Sequence, residues 1–475
     1  MNDFFCISLG SIKLRRWFFY VLLFCVMLVL IYTFKKQDNV FIHSAYYYPQ
    51  SESLGDNAVA ILMTMDKNAA ERIVDSGIQV VGTDDHMRIL KSQMNFDIEP
   101  FDLTDSEYIT ALGISNSLTN LKILELRSNG KYMQIPMKKP KETVSHPVVF
   151  CTSPLITVDN WQKIVFQLHI SKRFHAHVHV YISKIIKSFH NLLKEYSTKG
   201  YVTLDIWPDI DFLNVEEMLV NFEIRTKKTA HTDCLLQYKE AAKFIVFLDI
   251  DDIFIPNSNY YEDFLSGFGN DASINSLFYS KKNYQVIMND EISSARFIEL
   301  NNTHRTGNTV IQPRYHNLTW SHYGDNTTDN FYEKNTKYMD NEMIHITAIG
   351  PMIVKESTPI NEIISENDLE RIEDGIRRLH QTLHFDNVIS NIPPTNHYMV
   401  VMRECYRKLY YANESMTFEN SIPCIRNNVS YLKDERTIDI HVHIPDRSHQ
   451  TGQVFEGVVL IHCEITDWSM TIYLV

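Results

Sequence analysis

Three hydrophobic rhythms follow one another along this chain. The first is an uninterrupted apolar run at 17–34, 18 residues long, just enough to span the hydrocarbon of a bilayer as a helix. From 35 to about 145 the rhythm is that of strands, as in AVAILMTM (58–65) and IQVVGT (78–83), without Pro, Ser or Gly enrichment. That pattern predicts a folded, β-rich leading segment rather than a flexible stem. The basic stretch KYMQIPMKKPKETVSH (131–146) reads as a linker, with a boundary near 145.

Beyond the linker, strand-length apolar runs alternate with helical spacing. PVVFCTSPL (147–155) predicts a buried strand and turn, and WQKIVFQLHI (161–170) a helix with Trp161, Ile164, Val165 and Leu168 on one face. HVHVYI (177–182) is a second strand, and KIIKSFHNLLKEY (184–196) a helix with Ile185, Phe189, Leu192 and Leu193 inward and Gly200 as its stop. YVTLDIW (201–207) gives a third strand, DCLLQYKEAAK (233–243) a third helix capped by Asp233 or Thr232, and FIVFLD a fourth strand. Strand, helix, strand, helix specifies a parallel α/β layer. Further on, 260–268 predicts a short helix, SLFYS (276–280) and RFIEL (296–300) strands, and 362–379 and 395–413 helices. Residues 436–475 alternate like strands.

Charge and flanking residues refine this picture. With a formal charge of −13 over 475 residues, the chain is not expected to bind nucleic acid. Lys13, Arg15 and Arg16 precede the apolar run and Lys35 and Lys36 follow it, which favours a cytosolic tail and a luminal body. No small-residue cleavage site follows the run, so an uncleaved anchor is expected rather than a signal peptide. The expected order is a cytosolic tail (1–16), a transmembrane signal anchor (17–34), the luminal leading segment (35–145), an α/β domain (146–430) and a strand-like extension (431–475). Sequons at Asn301, Asn317, Asn326, Asn413 and Asn428 all lie on the luminal side. Five luminal cysteines, Cys151, Cys234, Cys405, Cys424 and Cys463, allow at most two disulfides. Spacing leaves the pairing open; Cys405 with Cys424 is the shortest loop.

The candidate chemistry sits where the fourth strand ends in Asp249, Asp251 and Asp252. Ligands collect at the carboxyl ends of parallel strands. An extended backbone would place Asp249 and Asp251 on one side, about 7 Å apart, able to share a hard divalent cation. A second Asp-x-Asp, Asp209 and Asp211, follows Pro208 and reads as a loop. A cation bridging Asp249 or Asp251 to a nucleoside diphosphate would stabilise that leaving group in sugar transfer, with Asp252 behind it or touching the sugar.

Two alternatives stand beside this one. In a haloacid-dehalogenase-type phosphatase Asp249 would be the nucleophile, although that family opens with this strand whereas here three β/α units precede it. The third reading is a catalytically inactive, membrane-tethered glycan- or nucleotide-binding protein whose acids hold calcium. His175, His177 and His179 alternate and could ligate zinc from one strand face, but a half-exposed strand with its polar side outward is the simpler reading, as for His441 and His443. His322, downstream, could complete a metal shell. Asp325, Asp329 and Glu342 are candidates by position for the base that deprotonates an acceptor hydroxyl.

PVVFCTSPL followed by Trp161, the strand ending VYIS, the WP at 207–208, HTDCLLQYKEAAKFIVFLDIDDIFIP and YYEDFL together resemble glycosyltransferase family 92, over about 146–325. HSAYYYPQSESLGDNAVAIL (43–62) resembles that family's leading luminal segment. The resemblance implies a single-pass type II Golgi protein with a GT-A fold, a Rossmann-like nucleotide-sugar-binding sheet with flanking helices. It also implies Mn2+ dependence and transfer of galactose from UDP-galactose to a glycan or glycoprotein acceptor, fucose on N-glycan cores being one. By position it makes Asp249 and Asp251 metal ligands, puts Asp252 at an acidic position and Asp233 near the nucleotide. It also makes His322, within TVIQPRYHNLTWSHY, a metal or phosphate contact. Gln237 and Tyr238 stand where an arginine-containing run is usual, and 306–308 lacks an expected lysine; both departures bear on phosphate contacts and donor choice.

Overall fold

A computed structural model describes residues 20, 38–66, 70–71, 79–98, 108–128, 131–158, 161–207, 219–287, 296–300, 307–319, 335–349, 364–382, 437–439, 452–455, 458–466 and 469–473. The anchor expected at 17–34 lies, but for Tyr20, outside them, as do the helix expected at 395–413, the second Asp-x-Asp and His441 and His443. Among the described residues no helix is long and apolar enough to cross a membrane.

The leading segment forms eight strands: β1 (Asp38–Tyr48), β2 (Ala58–Asp66), β3 (Gln79–Asp84), β4 (Ile89–Gln93), β5 (Asn95–Ile98), β6 (Tyr108–Asn116), β7 (Leu121–Ser128) and β8 (Lys131–Ile135). They pair as two sheets, β1-β2-β6-β5 and β4-β3-β7-β8, every contact within these sets antiparallel. Strand β2 shows why AVAILMTM carries no polar face. Its odd positions, Val59, Ile61, Met63 and Met65, pack with Val80, Ile109, Ala111 and Leu124 between the sheets. Its even positions, Ala58, Ala60 and Leu62, pack outward against the second unit of the chain. Period-two alternation hides when both faces are covered.

The second unit begins with β9 (Val148–Thr152) and β10 (Leu155–Val158), then α1 (Trp161–Arg173), β11 (Ala176–Ile186), α2 (Lys187–Thr198), β12 (Val202–Ile206), α3 (Leu219–Tyr238) and β13 (Phe244–Leu248). It continues through β14 (Asp252–Ile253), α4 (Tyr260–Phe268), β15 (Ser276–Ile287), β16 (Arg296–Glu299), β17 (Gly307–Ile311), β18 (Thr336–Ile349) and α5 (Glu366–Thr382). Strands β12, β11, β9 and β13 lie side by side and parallel. The chain therefore steps outward from β9 twice and then crosses to its other side, so the order reverses between β9 and β13. Strand β17 runs antiparallel to β13, and β15 and β18 extend the sheet beyond it, making it mixed. Near the C-terminus β19 (Thr437–Asp439), β20 (Gly452–Phe455), β21 (Val458–Thr466) and β22 (Ser469–Tyr473) follow, β21 pairing with β1.

All five residues of β13 are buried. Phe244, Val246 and Leu248 face a core shared with α1, α2 and α4, while Ile245 and Phe247 face one closed by α3 and the outer face of β1-β2-β6. A disulfide joins Cys151 of β9 to Cys234 of α3, with Cα atoms 6.1 Å apart and a sequence separation of 83. Asp233, expected near the nucleotide, is buried at this junction. Its carboxylate accepts hydrogen bonds from the hydroxyls of Tyr46 (2.9 Å) and Tyr181 (2.8 Å), and Lys138 pairs with it at 3.3 Å. Tyr48 donates to the carbonyl of Leu236 at 2.5 Å, and the His43 ring stacks on Trp207.

Several expectations change here. The stretch 131–146 read as a linker opens with β8, and Ile185, expected on the inner face of a helix, lies in β11, which runs on to Ile186 before α2 begins at Lys187. Helix α3 ends at Tyr238 and starts well before Asp233. Asp233 resembles an N-cap in sequence because it is polar among apolar residues, yet its partners come from β1, β11 and the linker rather than from the helix start. The histidine row is neither a zinc site nor a solvated face. His175 precedes β11 in a left-handed turn (φ 66°), whereas His177 and His179 share the Tyr238 hydroxyl at 3.3 and 3.0 Å, His179 being fully buried.

Burial lowers the pKa of His177 and His179 to about 4 and that of His43 to about 3. Below the ordinary value of 6.5 the unfolded chain takes up protons that these folded-state imidazoles refuse, so their contribution to stability is present above 6.5 and is lost as pH falls towards 4. Each contributes a slope of at most about 1.4 kcal/mol per pH unit. Melting temperature is expected to fall by several degrees between pH 6.5 and 4.5, and His179→Asn to flatten that fall. An unchanged slope in the variant would remove His179 from this account.

Candidate functional site

The β13 strand stops at Leu248 because the backbone turns there: the Asp252 amide donates to the Asp249 carbonyl at 3.0 Å, and the Ser153 amide donates to the Leu248 carbonyl at 3.0 Å. The acids therefore lie on a turn at the point where strand order reverses, and the extended alternation expected for Asp249 and Asp251 does not continue through them. The turn sends the carboxylates in two directions.

Asp249 points towards α3, β15 and the end of β9. One of its oxygens accepts from Lys227 of α3 at 2.5 Å and from the Ser153 hydroxyl at 2.6 Å, while the other faces Lys281 of β15 at 3.3 Å. Burial pushes this carboxyl up, but Lys227 and Lys281 outweigh it and hold it well below the usual range. Asp252, fully buried, opens β14 opposite His345 of β18. One of its oxygens meets His345 Nδ1 at 2.8 Å; the other accepts from Asn308 at 2.6 Å and Lys281 at 2.6 Å. Asp251 lies 3.8 Å from the same His345 nitrogen and 3.4 Å from Lys163 of α1, whose ammonium also donates to the Ile346 carbonyl at 2.5 Å. Burial lowers the His345 pKa, but its hydrogen bond to Asp252 and the field of Asp251 raise it further, for a net rise. Beneath Ser153, His231 stacks on Phe247, and burial lowers its pKa to about 3, so it is neutral at physiological pH.

Among the described residues, Asp251, Asp252 and His345 bring ligand atoms within 4.8 Å of one another, a set able to hold a metal ion. Two carboxylates and an imidazole suit a hard or borderline divalent cation. Of the expected Asp249, Asp251 and His322, Asp251 belongs to this set, while Asp249 is turned onto Lys227 and Lys281. His322, Asp325 and Asp329 lie outside the described residues. Glu342 is exposed and pairs with Lys282 at 2.7 Å. Lys282 and Lys281 are consecutive on β15 and so point to opposite sides of the sheet, and the structure does not bring Glu342 to the cluster. Asp233 lies six residues beyond Lys227 on α3, about 9 Å along the helix axis, with its oxygens committed as described. Sequence reading missed His345, Lys163, Lys227, Lys281 and Asn308. For Lys281, Asn308 and His345 the one visible signal is a charged or polar residue inside an otherwise strand-like run, as in SLFYSKKNYQVI; Lys163 and Lys227 lie on helices and carry no such mark.

A parallel layer whose strand order reverses beside a cluster of charged ligands is the architecture of α/β nucleotide-binding proteins. The model of glycosyltransferase family 92 matches residues 146–379. Two glycosyltransferase family 92 proteins of Caenorhabditis elegans are 32% and 30% identical to this chain, over 79% of both chains in the first case and over 80% of this chain and 78% of the relative in the second. The chain belongs to glycosyltransferase family 92, and its chemistry is sugar transfer rather than the phosphatase alternative. Among solved structures, the galactosyltransferase LgtC with donor and acceptor sugar analogs aligns at 11% identity and a TM-score of 0.23, over 48% of this chain and 95% of that one. TarS 1–349 of S. aureus with UDP-GlcNAc aligns at 8% identity and 0.25, over 60% and 92%.

Proposed function

We propose that this protein transfers galactose from UDP-galactose to a glycan or glycoprotein acceptor in the secretory pathway, with Mn2+ or another divalent cation held by Asp251, Asp252 and His345. The observation that carries the reading is that trio, at the carboxyl end of β13 in a family 92 chain. When bound there, the cation would supply charge neutralisation for the nucleoside diphosphate as it leaves. Asn308 and Lys281 hold Asp252 from the side away from His345 and so fix the direction of its free lone pairs. The proton of the acceptor hydroxyl passes to a carboxylate, for which Asp325 and Asp329 stand as candidates by position and Glu342, paired with Lys282, is the weaker one. UDP-galactose as donor and a GT-A arrangement of the sheet come from the resemblance to the family. Anchoring through 17–34 with the body in the Golgi lumen fits the flanking charges, the sequons and the Cys151–Cys234 bridge, since disulfides persist in oxidising compartments.

The full chain is expected to release UDP from UDP-galactose only with Mn2+ present, and to favour that donor over UDP-glucose and UDP-GlcNAc by at least about tenfold in kcat/KM. Undiminished turnover in EDTA would remove the metal from the proposal, and a different preferred donor would remove galactose.

A further inference from the structure

The acids of the turn do not share one task. Lys227 and Ser153 occupy one oxygen of Asp249 and Lys281 faces the other, while Asp251 and Asp252 face His345. Lys281 bridges Asp249 and Asp252 at 3.3 and 2.6 Å with 11% of its side chain exposed, so it is built into the turn; Lys227 keeps 34% exposed at the mouth of the cluster. Lys163 lies against Asp251. Three carboxylates thus meet three ammonium groups beside the His345 imidazole, so that their charges largely offset one another before any ligand arrives.

Resting on the reading above, we propose that Asp249, the first acid of the Asp-x-Asp, is not a metal ligand but the holder of Lys227 and Lys281, and that this lysine pair receives the donor's diphosphate. The consequence is coupled binding. A divalent cation entering alone adds two positive charges beside three ammoniums, and a nucleoside diphosphate entering alone brings its negative charges beside three carboxylates. Entering together the two nearly cancel, with the cation on the His345 side and the phosphates on the Lys227 side. Coulomb interactions between groups a few ångströms apart and partly shielded from water are strong enough to make each ligand favour the other. Lys227 and Lys281 are accordingly positioning and phosphate-binding residues, and Asp249 acts through them.

Mn2+ binding to the full chain can be followed by loss of the free-ion electron paramagnetic resonance signal, with UDP as the second ligand. The wild-type chain is expected to bind Mn2+ at least about tenfold more tightly with UDP than without, and UDP correspondingly more tightly with Mn2+, as linkage requires. Asp249→Asn is expected to leave Mn2+ binding in the absence of UDP within about threefold of wild type, whereas His345→Ala abolishes it. Lys227→Met, a change at a partly exposed position, is expected to erase the coupling while leaving Mn2+ alone bound as well as or better than before. Loss of Mn2+ binding in a folded Asp249→Asn variant, or full coupling in Lys227→Met, would overturn the division of labour. Tight UDP binding without metal in the wild type would overturn the coupling. A wild-type chain that takes up neither ligand, even together, would overturn the proposed function and this inference with it.

Discussion

Replacing His345 by alanine is expected to lower kcat/KM for sugar transfer by roughly a hundred- to a thousandfold at saturating Mn2+. The effect is large because His345 is the one member of the trio from outside the turn, and its Nδ1 lies within reach of both Asp252 (2.8 Å) and Asp251 (3.8 Å). Without it two carboxylates face each other with Lys281 and Lys163 as the positive charges that contact them among the described residues. A cation held by two ligands is both weaker and worse aimed, so the loss should appear in kcat even when added Mn2+ compensates for affinity. The fold should survive, since the side chain is 29% exposed and the buried Asp252 keeps Lys281 and Asn308 as partners. Activity within threefold of wild type in a variant with an unchanged melting temperature would rule out His345 as a ligand.

Cys151→Ala is expected to destabilise the chain by about 4 kcal/mol. A bridge closing 83 residues restrains the unfolded chain by about that much on a loop-entropy estimate, corresponding to a fall in melting temperature of roughly 10 °C for a domain of this size. Both cysteines are fully buried. The bridge ties the end of β9, two residues before Ser153, to α3, seven residues beyond Lys227. Its loss should therefore weaken UDP binding as well as stability. Thermal melts with and without a reducing agent separate the cases: the wild type should drop to the level of the variant on reduction, and the variant should not move. Equal melting temperatures under all four conditions would mean that the bridge does not stabilise the fold.

The α/β layer was legible because burial on both faces writes strands as continuous apolar runs, FIVFL above all, and because β/α units repeat locally. The strand-like leading segment was legible for the same reason. What could not be read depends on pairs far apart in sequence. Asp252 meets His345 across 93 residues, and Asp233 meets Tyr46 across 187. No local pattern marks either partner. Asp249 was legible as part of the site but its direction was not, since that is set by a turn beginning at its own carbonyl. The cysteine pairing stayed open for the same reason: the shortest loop, Cys405 with Cys424, is a local guess, while the bridge between Cys151 and Cys234 follows from β9 packing against α3. The histidines of β11 misled because a polar residue that finds a buried partner looks, in sequence, like one that faces water.

The outer face of the β1-β2-β6 sheet has a practical consequence for anyone preparing the enzyme in secreted form. A trim to the region that the family model matches would start at 146. Such a trim would strip Tyr46, Tyr48, Ala58, Ala60 and Leu62 from the far side of β9 and β13 and leave Asp233 with Tyr181 as its one remaining hydroxyl donor. The product would carry an exposed apolar surface along β9 and β13 and is expected to accumulate as aggregate. A soluble version has to keep everything from Asp38 onward.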